Sequence, residues 1–131
     1  MIFQSEDNLK KLIISFQYNV DNYLTFSIKV KSCPFSGKSS FCLSKETVVS
    51  TIDKLSEMHE NLEGTCDIKD YDTDACLTIK MKKLGNLFIE GQIGGSHQDH
   101  FMKFKYIADQ TILLNLINVL KTALSVKKTI N

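Results

Sequence analysis

Polar and apolar residues alternate along most of the chain. Over residues 11–18, Leu12, Ile14, Phe16 and Tyr18 fall on one side, and Ser15 and Gln17 with Ile13 on the other. That period of two is the mark of a half-buried strand. Val20-Asp21-Asn22 reads as a turn. Residues 23–31 alternate again, with Leu24, Phe26, Ile28 and Val30 inward and Thr25, Ser27, Lys29 and Lys31 outward. Two such runs joined by a short polar connection predict an antiparallel hairpin. Pro34, Ser36 and Gly37 then turn the chain, and residues 39–43 offer a short third strand with Phe41 and Leu43 buried.

The period next changes. Val48, Ile52, Leu55, Met58 and Leu62 recur at helical spacing. Ser44 is suited to cap this helix, Glu46 suits its first turn, and Gly64 ends it. Four strands follow, over residues 65–70, 76–82, 87–93 and 100–107, separated by short polar turns. Lys80, Lys82, Lys103 and Lys105 point outward. Asp109 then caps a second helix whose stripe is Ile112, Leu113, Leu116, Leu120 and Leu124. The expected fold is α+β, a single domain over residues 1–131. An antiparallel β-meander sheet carries two amphipathic helices on one face, in the order β-β-(β)-α-β-β-β-β-α.

Composition narrows the function more than it specifies it. With 16 lysines against 15 carboxylates, the net charge of +1 gives no global attraction to nucleic acid or membrane. There is no arginine, the side chain best shaped for bidentate phosphate and guanine recognition. The longest apolar stretch, residues 112–120, is too short for a membrane span and contains Asn115 and Asn118. The N-terminus carries Glu6 and Asp7 and no basic leader, so a reducing cytoplasm with free thiols is expected. Among Cys33, Cys42, Cys66 and Cys76 no C-x-x-C occurs. Cys66 and Cys76 flank a polar turn, and their pairing stays open.

Three segments invite a chemical reading. Ser36-Gly37-Lys38-Ser39 is similar to the end of a phosphate-binding loop. The full motif needs glycine where Ser32 stands, and a strand–loop–helix context; a simple turn is expected. His97 and His100, with Asp99, could hold a divalent metal, but a hairpin loop poorly supplies three fixed ligands. No cofactor is expected. Glu57, Glu60, Glu63, Asp67, Asp70, Asp72 and Asp74 crowd residues 57–74 against Lys69 alone. This is either a solvated helix end and loop or an acidic surface that docks on a basic protein partner. No carboxylate pair is forced into a pocket, and no nucleophile elbow occurs, so no catalytic residue is assigned.

The whole pattern resembles the WapI-type bacterial immunity proteins, small cytoplasmic partners of secreted polymorphic toxins. The matching positions are Phe35-Ser36-Gly37, Leu43, Leu55, Leu62-Glu63-Gly64, Gly91, Phe104-Lys105-Tyr106 and Asp109-Gln110-Thr111-Ile112-Leu113. They run from about Leu9 to Leu124 and are mostly turns, caps and core residues. The resemblance implies a non-enzymatic protein that binds and neutralises a cognate toxin domain, such as a nuclease; no direct nucleic-acid or membrane contact is expected. It maps no binding residue. The acidic residues 57–74 are the expected contact surface. The alternative is a small-ligand or metal-binding α+β module using His97 and His100.

Overall fold

Two-residue turns organise the first half of the chain. A computed structural model describes residues 1–82, 85–95 and 100–126. A short strand β1 (Ile2–Gln4) lies beside β2 (Lys10–Val20). Asp21 and Asn22 then take positive φ, 52° and 66°, the turn geometry whose twist matches that of paired strands. They return the chain as β3 (Tyr23–Ser32). Cys33 and Pro34, joined by a cis peptide bond, return it again as β4 (Phe35–Ser44). The first sheet is antiparallel throughout, in the order β1-β2-β3-β4.

Ser44 caps α1 (Lys45–Asn61), its hydroxyl accepting from the Thr47 amide at 3.1 Å. Val48, Ile52, Leu55 and Met58 are the buried apolar face. The helix ends with Leu62 in the left-handed region at φ 56° and Gly64 at φ 128°. A side chain at Gly64 would meet Met58, so glycine suits both the backbone and the packing here. The second sheet then forms from β5 (Gly64–Lys69), β6 (Cys76–Lys82), β7 (Asn86–Gly94) and β8 (Phe101–Asp109), again antiparallel and in chain order. Asp109 caps α2 (Gln110–Ser125) by accepting from the Thr111 amide at 2.8 Å.

The buried residues of both sheets and both helices form one cluster. Helix α2 touches β1 and β2 of the first sheet and β7 and β8 of the second, so it packs between their inner faces. Tyr106 of β8 joins the sheets directly. Its ring lies 5.3 Å from that of Phe3, and its hydroxyl donates to the Lys31 carbonyl at 2.7 Å.

The α+β class and the element order agree with the expectation, and the structure refines it. The meander is divided into two sheets, because α1 intervenes between β4 and β5. Ser36-Gly37-Lys38-Ser39 is strand, not turn: Cys33-Pro34 alone reverses the chain, and Ser32 pairs with Phe35. Gly37 is small because Ile93 of the second sheet lies against it, where a Cβ would come within 2.7 Å of the isoleucine Cδ1. Tyr18 is 41% exposed rather than inward. The β2–β3 register shifts between Phe16 and Tyr18, and a bulge reverses which side chains face the core. Cys66 and Cys76 do not pair. Cys66 stands opposite Ile79 and faces the core, whereas Cys76 stands opposite Lys69 on the outer face. All four cysteines are free.

Candidate functional site

The acidic residues are contiguous in sequence but fall into separate places. Glu57 and Glu60 are exposed near the end of α1, and Glu63 is exposed just beyond it. Asp67 lies on the outer face of β5, where the Thr78 hydroxyl donates to it at 2.7 Å. Asp70, Asp72 and Asp74 lie past the other end of β5. Six residues of strand, roughly 20 Å, separate Glu63 from Asp70.

Asp70 is a structural residue of that second group. It is 9% exposed. Its carboxylate accepts from the Cys42 amide of β4 at 2.8 Å and from the Thr73 hydroxyl at 2.6 Å. The Tyr71 amide donates to the Cys42 carbonyl at 3.0 Å, and the Asp70 amide donates to the Ala75 carbonyl at 3.0 Å. These bonds dock the β5–β6 loop onto the edge of the first sheet and hold Tyr71 outward, 71% exposed, with its ring 5.4 Å from that of Tyr23. Asp72 and Asp74 are exposed in the same loop. Burial pushes the Cys42 thiol pKa up, and the nearby Asp72 and Asp70 carboxylates push it the same way. The result is an exposed Tyr23–Tyr71 pair, with Tyr71 on a loop that also exposes two carboxylates. Sequence reasoning missed the tyrosines. The available signal was Asp70-Tyr71-Asp72, an aromatic residue inside a polar turn with no apolar neighbour to bury it.

The remaining candidates have less company. The outward lysines of the second sheet are interspersed with other groups: Lys105 lies 3.7 Å from Glu90, and the Lys82 ammonium sits 4.8 Å above the Phe88 ring. His100 is exposed, and His97 lies outside the described residues. Among the described residues no group of three or more His, Cys, Asp or Glu is placed to hold a metal ion. No described helix is long and apolar enough to cross a membrane.

The profile of the family described as "Immunity protein WapI-like family" matches residues 2–126. No curated protein and no solved structure matches the chain. Several positions that carried the resemblance are architectural in this structure. Gly37 admits Ile93, and Gly91 lies under the Phe104 ring, where a Cβ would come within 2.5 Å of that ring and 2.6 Å of the Cys76 carbonyl oxygen. Asp109 caps α2.

Proposed function

The chain belongs to the WapI-like immunity protein family, and we propose that it is a non-enzymatic inhibitor that binds a cognate toxin domain in the cytoplasm. The observation that carries the proposal is the Tyr23–Tyr71 pair held outward by the Asp70 dock. Tyrosine is a favoured anchor at protein interfaces, where a polar rim surrounds an aromatic centre. Asp72 and Asp74, exposed in the same loop, supply polar groups for that rim. Glu57, Glu60 and Glu63 stand a strand's length away at the other end of β5, with Asp67 between the two groups, and form a separate negative region.

A negative surface associates fastest with a positive one. The partner face is therefore basic, as the substrate-binding face of a nuclease is. Asp70 supports the surface from beneath and does not touch the partner.

Co-expression tests the function. The toxin domain encoded beside this gene is expressed with and without this protein. Restored growth and a co-purifying complex are the expected outcome; unrelieved toxicity overturns the proposal. Interface variants test the surface. Tyr71→Ala, and separately Asp72→Lys, each weaken the complex at least tenfold, about 1.4 kcal/mol, with the unfolding midpoint unchanged. Full affinity in both variants removes this surface from the proposal.

A further inference from the structure

The opposite charge collects on the outer face of the first sheet. Strands β2, β3 and β4 carry Lys10, Lys11, Lys29, Lys31 and Lys38 and no carboxylate. The register places Lys11 directly opposite Lys31 and Lys29 directly opposite Lys38. All four lie on the outward face, since Leu12, Ile28, Val30 and Phe41 take the inward one. Directly opposed like charges destabilise a sheet. Lysine on an edge strand guards against aggregation, which accounts for Lys38. It does not account for Lys11, Lys29 and Lys31 on interior strands. Among the described residues none of these lysines is paired with a carboxylate.

Beside this face runs a strand edge that the described residues leave open. β4 is the edge strand of the first sheet. The Cys42 amide and carbonyl point away from β3, because they meet Asp70 and Tyr71 instead. In an antiparallel ladder the direction of these groups alternates. The backbones of Ser36, Lys38 and Ser40 therefore also point outward. The β5–β6 loop covers the edge at Cys42 and stops there. At the other end the edge opens into a cleft of 490 Å³ between β4 and the start of β8. Ile93 and Met102 line it, and Phe35 and Phe101 stand at its lips, 69% and 61% exposed.

We propose that the edge of β4 from Ser36 to Ser40 is a docking strand for an extended peptide segment of a partner protein in which acidic and apolar residues alternate. The period of two in a strand sends successive side chains to opposite faces. A peptide added to this edge therefore presents one set over Lys29, Lys31 and Lys38 and the other set to Phe35, Phe101 and Met102. Carboxylates match the first surface and apolar side chains the second. The backbone groups of Ser36, Lys38 and Ser40 supply the hydrogen bonds of strand addition. A second copy of the chain is disfavoured on this edge, because pairing β4 with β4 sets lysine against lysine. Single-stranded nucleic acid would use the lysines but not the alternation. This docking strand stands independently of the toxin-binding surface around Tyr71.

The test uses the intact protein and a labelled peptide, (Glu-Val)4, with binding read by fluorescence anisotropy. Two further peptides carry backbone N-methyl groups on alternate residues, one on the glutamates and one on the valines. Only one of these sets can face β4. The expected result is saturable binding of (Glu-Val)4, retained by one methylated peptide and reduced at least tenfold in the other. The Lys29→Glu, Lys31→Glu double variant reduces it at least tenfold as well. Equal binding of the two methylated peptides overturns strand addition. Absence of binding, or tighter binding of an eight-residue oligothymidine than of the peptide, overturns the proposed partner.

Discussion

Replacing Tyr106 by phenylalanine removes a hydroxyl that ties the two sheets together. The ring is 1% exposed and packs between Phe3 at 5.3 Å and Phe104 at 5.6 Å, so the substitution leaves the apolar packing in place. What is lost is the hydroxyl's donation to the Lys31 carbonyl at 2.7 Å and its acceptance from the Ser32 hydroxyl at 3.1 Å. A hydrogen bond contributes about 0.5–1.5 kcal/mol net, and a buried group left without its partner costs more. Ser32 is half-buried and its hydroxyl can turn to water, so the expected loss is about 1–2 kcal/mol. With a urea m-value of roughly 2 kcal/mol per molar, the midpoint falls by about 0.5–1 M at constant m. A midpoint unchanged to within about 0.1 M in urea refutes the role assigned to this bond. A changed m would mean that the substitution had altered the compactness of the native or denatured state.

The same hydroxyl gives a pH signature. Burial pushes the Tyr106 pKa above its ordinary value, against the smaller opposing effect of its hydrogen bonds to Ser32 and Lys31. The folded state therefore prefers the protonated phenol. Its contribution to stability is complete below the ordinary tyrosine pKa, about 10, and is lost as the pH rises from there through the folded value. Above pH 10 the wild-type protein loses stability more steeply than Tyr106→Phe, and the two converge.

Two glycines invite a paired comparison. Gly91→Ala places a methyl against the Cys76 backbone carbonyl at 2.6 Å and destabilises by about 2–3 kcal/mol. Gly37→Ala meets only the flexible end of Ile93 and costs less than half as much in the same urea titration. At the start of α2, Asp109→Ala removes the cap and costs about 1 kcal/mol at pH 7. Bonds from the Thr111 hydroxyl and amide hold the Asp109 carboxyl below its ordinary pKa. The cap's contribution is therefore present above the ordinary aspartate value and lost as the pH falls through the folded one, so thermal unfolding of wild type and variant converges in acid.

The strands and helices were legible in the sequence because most elements are buried chiefly on one side; β3 departs from this over Leu24–Ile28, where Thr25 and Ser27, expected outward, are buried as well. Alternation places Leu24, Phe26, Ile28 and Val30 inward whatever the partner strands are, and the change of period at Val48 marks a helix with no knowledge of what it packs on. Alternation does not say which strands pair, so one meander and two sheets read alike. Local turn chemistry misled where a distant contact decides. Ser36-Gly37 looks like a turn, yet its glycine is dictated by Ile93, more than fifty residues away in the sequence. The Phe16–Tyr18 bulge has no glycine or proline to announce it.

The surfaces show the same limit in both directions. The seven carboxylates of residues 57–74 look like one patch, because neighbours in sequence are counted as neighbours in space. A six-residue strand carries them apart, and folding withdraws Asp70 from the surface to hold the loop that displays Tyr71. The lysines at positions 11, 29, 31 and 38 look scattered, and antiparallel registry brings them together. Net charge near zero hides this separation, since it sums over faces that a partner meets one at a time. A chain with a net charge of +1 thereby presents a tyrosine pair, with two carboxylates exposed in the Tyr71 loop, at one end of β4 and a lysine-bordered open edge at the other. Reversing either charge set perturbs one surface and leaves the other to report that the fold is intact.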